Sequence, residues 1–451
     1  MNGKFINVAF NKRDMEKDII LETLNDWNFW NKDLQTGIKR MGYIERLESM
    51  AKTNQVIVVM GARRSGKSFL LRQFAKNLIE KGNEKNRTLF INCEDPRFGI
   101  MSTKELQFIY EAYLENLNPK GSPWIIIDEI QEIEGWEKWV RTMHELGKAK
   151  IIISGSNAKL LGTELSTLLT GRHINLEVYP LSFKEFLMFR EIEIKNRFDA
   201  ASKKIELERL LMEYFEFGGF PEAVCGNEKK LILLEYFNDM LKKDLINRYK
   251  IRKSRRLLEL AKYYLSNIAC PITYNSIEKS LGISADTAEK FSTYLEEGNI
   301  VFFLKRFSFK VKEQDKSPKK VYSVDCGLAN AVGFRFRENM GHLAENIVFL
   351  GLKRMASKDP NIEIFYWKNN LQYETDFIVK EGLKIKTAIQ VCWDVAKKET
   401  KEREIRALLS AMDELKISEG MIITKDFRDE ETIHGKKIEY LPIMDWLLEF
   451  K

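Results

Sequence analysis

Cysteine and histidine are scarce: the 451 residues include five cysteines and four histidines. Cys93, Cys225, Cys270, Cys326 and Cys392 form no C-x-x-C pair, and no H-x-x-x-H or mixed Cys/His cluster occurs. A disulfide scaffold and a structural zinc site are therefore disfavoured. Also missing is any apolar run near the ~18 residues that a membrane-spanning helix needs. The opening MNGKFINVAFNKRDMEKD carries charges where a secretory signal has its apolar stretch. These absences lead us to expect a cytoplasmic protein without a membrane partner. No fixed-period repeat and no low-complexity tract interrupts the chain. Charge of one sign is only slightly in excess, with 73 basic against 66 acidic residues and a net +7. That balance favours polyanionic partners without establishing one.

What is present is globular material, 44% hydrophobic and 31% charged, enough apolar surface to offset the entropy of ordering. The length predicts roughly two to four domains, because single cores stop growing well below this size. Residues 1–50 read as a helical lead-in ending in the amphipathic IKRMGYIERLESMA. From about 51 to 178, the short β-branched runs VIVVM, TLFIN, WIIID and KIIIS alternate with helical segments. Continuous apolar runs of that length suit strands buried on both faces of a parallel sheet, so this is an α/β domain. Residues 179–250 become helical, broken at the turn Gly218-Gly219-Phe220-Pro221. Residues 251–335 read as three helices and then two β-rich stretches, VFFLKRFSFKV and KKVYSVD. Residues 336–451 mix a helix around Ala344, the strands IEIFYW, TDFIV, TAIQVCW and GMIIT, and a charged helix from about Glu399 to Leu415.

The densest chemistry lies in Gly61-Ala62-Arg63-Arg64-Ser65-Gly66-Lys67-Ser68, which fits G-x-x-x-x-G-K-[ST] directly after a strand and, from Phe69, directly before a helix. Glycines let such a loop curl so that its amides and the helix N-terminus face phosphates. Lys67 is then placed to neutralise β/γ charge and Ser68 to ligate Mg²⁺. ATP and Mg²⁺ are the implied ligands. WIIID followed by Glu129 supplies two acids at the end of a buried strand, Asp128 for the Mg²⁺ shell and Glu129 to polarise the attacking water. At the end of KIIIS, Ser154, Ser156 and Asn157 are polar. Asn157 or Ser156 suits contact with the γ-phosphate, and the same pair also suits helix N-capping. Arg172, in LLTGR, is a candidate arginine finger toward a neighbouring subunit, with Arg63 and Arg64 as rival phosphate contacts and an ordinary surface role equally open.

GARRSGKS, IIIDEIQ, SGSNAKLL, LTGR, PLSFKEF, GGFPEAV, KKVYSVDCGL, GHLAENIVF, ETDFIV and IQVCWD occur in that order, from about Gly61 onward. With them the chain resembles prokaryotic AAA-type ATPases in which a P-loop domain is followed by a winged helix and a PD-(D/E)XK nuclease-like domain of unassigned function. The resemblance implies an α/β multidomain fold: a parallel P-loop NTPase sheet with a helical lid, a winged helix-turn-helix, and a restriction-endonuclease-like C-terminal domain. It also implies homo-oligomers, since an arginine finger acts across an interface.

In the winged segment, the helix after Gly282 carries Asp286, Glu289, Glu296 and Glu297 against Lys290, a poor balance for reading bases. The following stretch holds Lys305, Arg306, Lys310, Lys312, Lys316, Lys319 and Lys320, interleaved with Phe303, Phe307 and Phe309. That pattern suits contact with the DNA backbone, and equally a solvated hairpin over core aromatics. In the nuclease-like part, Glu345 and Asp376 match two of the metal-binding acids. The E-x-K position instead reads Gln390-Val391-Cys392. Cysteine cannot replace a lysine ammonium, so Lys384, Lys386, Lys397 or Lys398 would have to reach in. The preferred reading is an ATP-hydrolysing switch or motor that holds DNA, without sequence specificity, or a protein, and does not cut. An ATP-gated nuclease using Glu345, Asp376 and Gln390, and a signalling NTPase acting on protein partners, are the alternatives.

Overall fold

A computed structural model describes residues 17–155, 171–334 and 340–449. The chain divides into two compact units: residues up to Gly61 with Gly66–Val178, and Ala62–Ser65 with Tyr179 onward.

The first unit is built on five parallel strands: β1 (Val56–Met60), β2 (Thr88–Asn92), β3 (Trp124–Asp128), β4 (Lys150–Gly155) and β5 (His173–Glu177), in the order β2-β3-β4-β1-β5. The apolar runs predict this, because β1 and β3 are buried along their whole length. Successive side chains of β1 serve opposite faces: Val56 and Val58 pack with Leu89, Ile125 and Ile151, while Ile57 and Val59 pack with Leu70, Phe74 and Ile126. Each fully buried aliphatic side chain contributes on the order of 1.5–3 kcal/mol. The strand β5 was not anticipated, since HINLE is polar at alternate positions and lies at the sheet's edge, where only Leu176 is fully buried.

The opposite edge, β2, is covered by the lead-in. Asn28 donates to the Phe90 carbonyl at 2.9 Å and accepts from its amide at 2.7 Å, and Trp30 Nε1 donates to the Thr88 carbonyl at 2.8 Å. Side chains thus satisfy backbone groups that an exposed edge would leave open to another chain.

The second unit begins with helices Phe183–Phe189, Lys204–Phe217 and Lys229–Asp239, the last running into a π-helical turn, Met240–Asn247. Helices Ser254–Ser266, Tyr274–Leu281 and Ala285–Glu297 accompany a small antiparallel sheet of β6 (Pro271–Ile272), β7 (Val301–Leu304) and β8 (Lys319–Ser323), in the order β6-β8-β7. The long strand expected over VFFLKRFSFKV stops at Leu304. The chain then pairs with a neighbouring strand, Phe307 N donating to Tyr366 O at 2.6 Å, and Val311–Lys316 is helical. Phe307 consequently packs with Trp367 in a core, while Phe309 remains exposed.

A six-stranded mixed sheet completes the unit: β9 (Ile362–Lys368), β10 (Glu374–Glu381), β11 (Lys384–Cys392), β12 (Glu419–Thr424), β13 (Asp429–Ile433) and β14 (Lys436–Pro442), ordered β13-β14-β12-β11-β10-β9. Helices Met340–Lys358 and Lys398–Leu415 pack on it. The β13–β14 hairpin turns on His434 and Gly435, both at positive φ.

Two glycine motifs of this unit interlock. Asp325 accepts hydrogen bonds from Gly219 N at 2.7 Å and Leu328 N at 3.1 Å. A Cβ at Gly218 would lie 1.9 Å from Asp325 Oδ1, and one at Gly327 2.0 Å from the Phe217 carbonyl oxygen. Glycine is therefore required at both, by the Asp325 carboxylate at the first and by close backbone approach at the second. Among the described residues no helix is long and apolar enough to cross a membrane.

Candidate functional site

Beyond Met60 the chain curls through Gly61, Arg64 and Gly66, with φ of 150°, 67° and 97°. Helix Lys67–Glu80 then starts with no side-chain cap and no acidic residue in its first turn. A helix start of that kind presents a positive dipole end that suits an anion. Lys67 is buried, and its Nζ donates to the Gly61 carbonyl at 3.1 Å, so the ammonium is folded back across the loop.

Asp128 and Glu129 follow at the end of β3. Because β4 lies between β3 and β1, Ser154 stands opposite Val59 and beside the end of β3. The Ser154 hydroxyl is fully buried, donates to the Asp128 carboxylate and accepts from Glu129 N at 3.2 Å. Burial pushes the Asp128 carboxyl up from its usual range, and Glu129 adds to this; hydrogen bonds from Ser154 and Ser68 and the charge of Lys67 oppose it. Glu129 takes a left-handed conformation (φ 55°, ψ 48°) and accepts from Gln131 Nε2. Positive φ at a buried non-glycine is a local cost that packing must hold in place. Ser68 and Asp128 touch and offer only oxygen donors, which suits Mg²⁺. Bound there with ATP, the ion would neutralise phosphate charge.

The remaining expected residues divide. Ser156 and Asn157 lie outside the described residues. Arg172 precedes β5 and pairs with Glu145 at 3.0 Å within its own unit. Arg63 Nε donates to the buried Asp244 at 3.2 Å, and the Arg64 guanidinium lies over the Tyr236 ring. Phe69 is half-exposed, with the Arg72 guanidinium over its ring. The functional residue here is Ser154, which the sequence places beside Ser156 and Asn157 with nothing local to distinguish it.

A second cluster lies in the second unit. Glu345, on helix Met340–Lys358, and Asp376, on β10, come together around one cation. The cation between them is unexpected: it is Lys320 of β8. Its Nζ lies 2.7 Å from Glu345, 2.9 Å from Glu374 and 2.9 Å from Asp376, and its side chain is 2% exposed. The neighbouring Tyr322 hydroxyl donates to Glu345 at 2.8 Å. Burial alone would lower the Lys320 pKa, but Asp376 and Glu345 outweigh it and hold the ammonium well above the ordinary lysine range. Burial, then Asp376, pushes Glu345 up. The expectation that Lys320 faces DNA from a wing is therefore corrected, because three carboxylates hold it inside. The lysines proposed to reach in do not: Lys384 and Lys397 are exposed, Lys386 pairs with Glu381 at 2.6 Å, and Lys398 with Glu402 at 3.9 Å. Gln390 accepts from Asp376 N at 3.2 Å and donates to Glu404 at 2.6 Å. Cys392 is a buried thiol pushed up to about 11, chiefly by burial.

A parallel five-stranded sheet with a phosphate loop after β1 and paired acids after β3 defines an AAA-type P-loop protein. An AAA-domain family model matches residues 53–187, and two domains of unknown function, DUF8612 and DUF4143, match 208–339 and 340–446. The chain is 33% identical over 411 residues to the uncharacterized protein MJ1544 of Methanocaldococcus jannaschii, covering 88% of this chain and 89% of that one. It belongs to the same family as that protein. An uncharacterized protein of Haemophilus influenzae is 29% identical over 420 residues, 91% of this chain and 99% of the relative. Among solved structures it is similar to the Walker-type ATPase PABY2304 of Pyrococcus abyssi, with 15% identity and a TM-score of 0.43 over 65% of this chain and 95% of that one.

Proposed function

We propose that the protein binds MgATP on Gly61–Ser68 and hydrolyses it, acting as a nucleotide-driven switch or motor. The observation that carries this reading is the junction of Lys67, Ser68, Asp128, Glu129 and Ser154 at the carboxyl ends of β1, β3 and β4. In open α/β sheets that is where ligands bind. The helix amides and Lys67 hold phosphate, Ser68 and Asp128 hold the metal, and Glu129 orients and polarises water. Arg172, paired here with Glu145, would have to exchange that partner to act toward a neighbouring copy in a homo-oligomer.

We read residues 251–335 as a winged helix and the six-stranded domain as a degenerate PD-(D/E)XK nuclease-like fold that holds DNA without cutting it. Support for DNA is the exposed run Phe309, Lys310, Lys312 and Lys316. Support for the absence of cutting is Gln390, which is turned onto Glu404. Titrating the full chain into labelled duplex and single-stranded DNA with Mg²⁺, with and without ATP, tests this. Shifted, intact DNA is the expected result; cleavage lost in Asp376→Ala would replace it with the nuclease, and no shift at moderate salt would leave protein partners.

A further inference from the structure

Lys320 occupies the place that a divalent ion takes in a metal-dependent carboxylate centre. A Mg²⁺ or Mn²⁺ site needs carboxylate oxygens converging at about 2.0–2.6 Å on one point. Here Glu345, Glu374 and Asp376 converge on a point already filled by Nζ, at 2.7–2.9 Å. These are hydrogen-bond lengths for an ammonium, whose three protons match three carboxylate acceptors. Among the described residues no group of three or more His, Cys, Asp or Glu side chains is arranged to hold a metal ion. The other Asp376 oxygen accepts from Val391 N at 2.9 Å, and Tyr322 takes a further share of Glu345. The acids are thus turned toward protein donors, and the ammonium ties β8 of the small sheet to β10 of the large one.

We infer that Lys320 is the resident cation of this centre: it excludes divalent metal from the Glu345–Glu374–Asp376 cluster, and removing it turns the cluster into a Mn²⁺ site. The inference rests on the nuclease-like reading only for the comparison with a metal centre, and the charge geometry stands without it. A mobile cation is replaced by one that cannot leave, so the domain is a fixed platform whose would-be catalytic acids serve as an internal clamp.

The test is Mn²⁺ binding to the nucleotide-free full chain, followed by loss of the free-ion electron paramagnetic resonance signal. Wild type and Asp376→Asn should bind equal amounts. Lys320→Met should gain one Mn²⁺ per chain, lost again in Lys320→Met/Asp376→Asn, and added Mn²⁺ should raise its unfolding temperature but not that of wild type. If Lys320→Met does not fold, Lys320→Gln keeps all three carboxylates and carries the same readout. Mn²⁺ bound by wild type and lost in Asp376→Asn would overturn the inference, as would a folded Lys320 variant that gains no ion. ATP hydrolysis measured on the same samples reports separately on the phosphate-loop reading.

Discussion

Replacing Ser154 by alanine removes one hydroxyl and strands two partners. The hydroxyl donates to the Asp128 carboxylate and accepts from the Glu129 amide, inside a site where Ser154 has no exposure. A hydrogen bond to a charged group contributes about 1.5–3 kcal/mol, and a buried amide left unpaired costs about 1–3 kcal/mol. Partial relaxation brings the expected loss to about 2–4 kcal/mol, a fall in melting temperature of roughly 5–10 °C for a unit of this size. The same hydroxyl fixes the left-handed turn at Glu129 and opposes the rise in the Asp128 pKa. If about half of the loss is expressed in the transition state, kcat falls about 5- to 30-fold. Phosphate release at saturating ATP, with thermal unfolding of the same sample, measures both. Ile152→Val in the same strand is the control, costing about 0.5–1.5 kcal/mol with kcat unchanged. Wild-type kcat and melting temperature in Ser154→Ala would refute the linkage.

Other outcomes follow from the second unit. Gly219→Ala puts a Cβ 2.3 Å from the Leu181 carbonyl oxygen; chemical denaturation should show a loss of about 2 kcal/mol or more. Asp325 has a pKa raised to about 6, chiefly by burial, against backbone hydrogen bonds that lower it. Its contribution is fully present below about pH 4 and is lost as pH rises through about 6, by up to roughly 3 kcal/mol. Denaturation from pH 4 to 7 should show wild type losing that much relative to Asp325→Asn, and parallel curves would contradict it. If Lys310, Lys312 and Lys316 contact phosphates, replacing all three with alanine should reduce the salt slope of DNA binding by about 2.7, from 0.9 per contact, as read by fluorescence anisotropy.

The sequence makes local pattern legible and leaves chain-distant pairing hidden. The phosphate loop and Asp128-Glu129 are each contiguous, and their neighbours in sequence already show a strand before and a helix after. Ser154 was indistinguishable from Ser156 and Asn157 until the parallel register set β4 between β1 and β3. Lys320 looked like one basic residue among many because the acids that hold it come from residues 345, 374 and 376. Its one local clue was alternation: Lys320 and Tyr322 share a strand face, and both bond Glu345. The β13–β14 hairpin was missed for want of long apolar runs, although His434-Gly435 supplies the two positive φ angles that a two-residue hairpin turn takes. Which core takes Phe307 is hidden in the sequence, because strand propensity continues past Leu304 while the chain leaves one sheet for another.

The central claim is tested most directly by ATP turnover and ATP binding measured together for wild type, Lys67→Ala and Glu129→Gln. Wild type should hydrolyse ATP with Mg²⁺. Lys67→Ala should lose binding and turnover together, and Glu129→Gln should keep binding while turnover falls by about 100-fold or more. No hydrolysis by wild type, or undiminished hydrolysis in Glu129→Gln, would contradict the account.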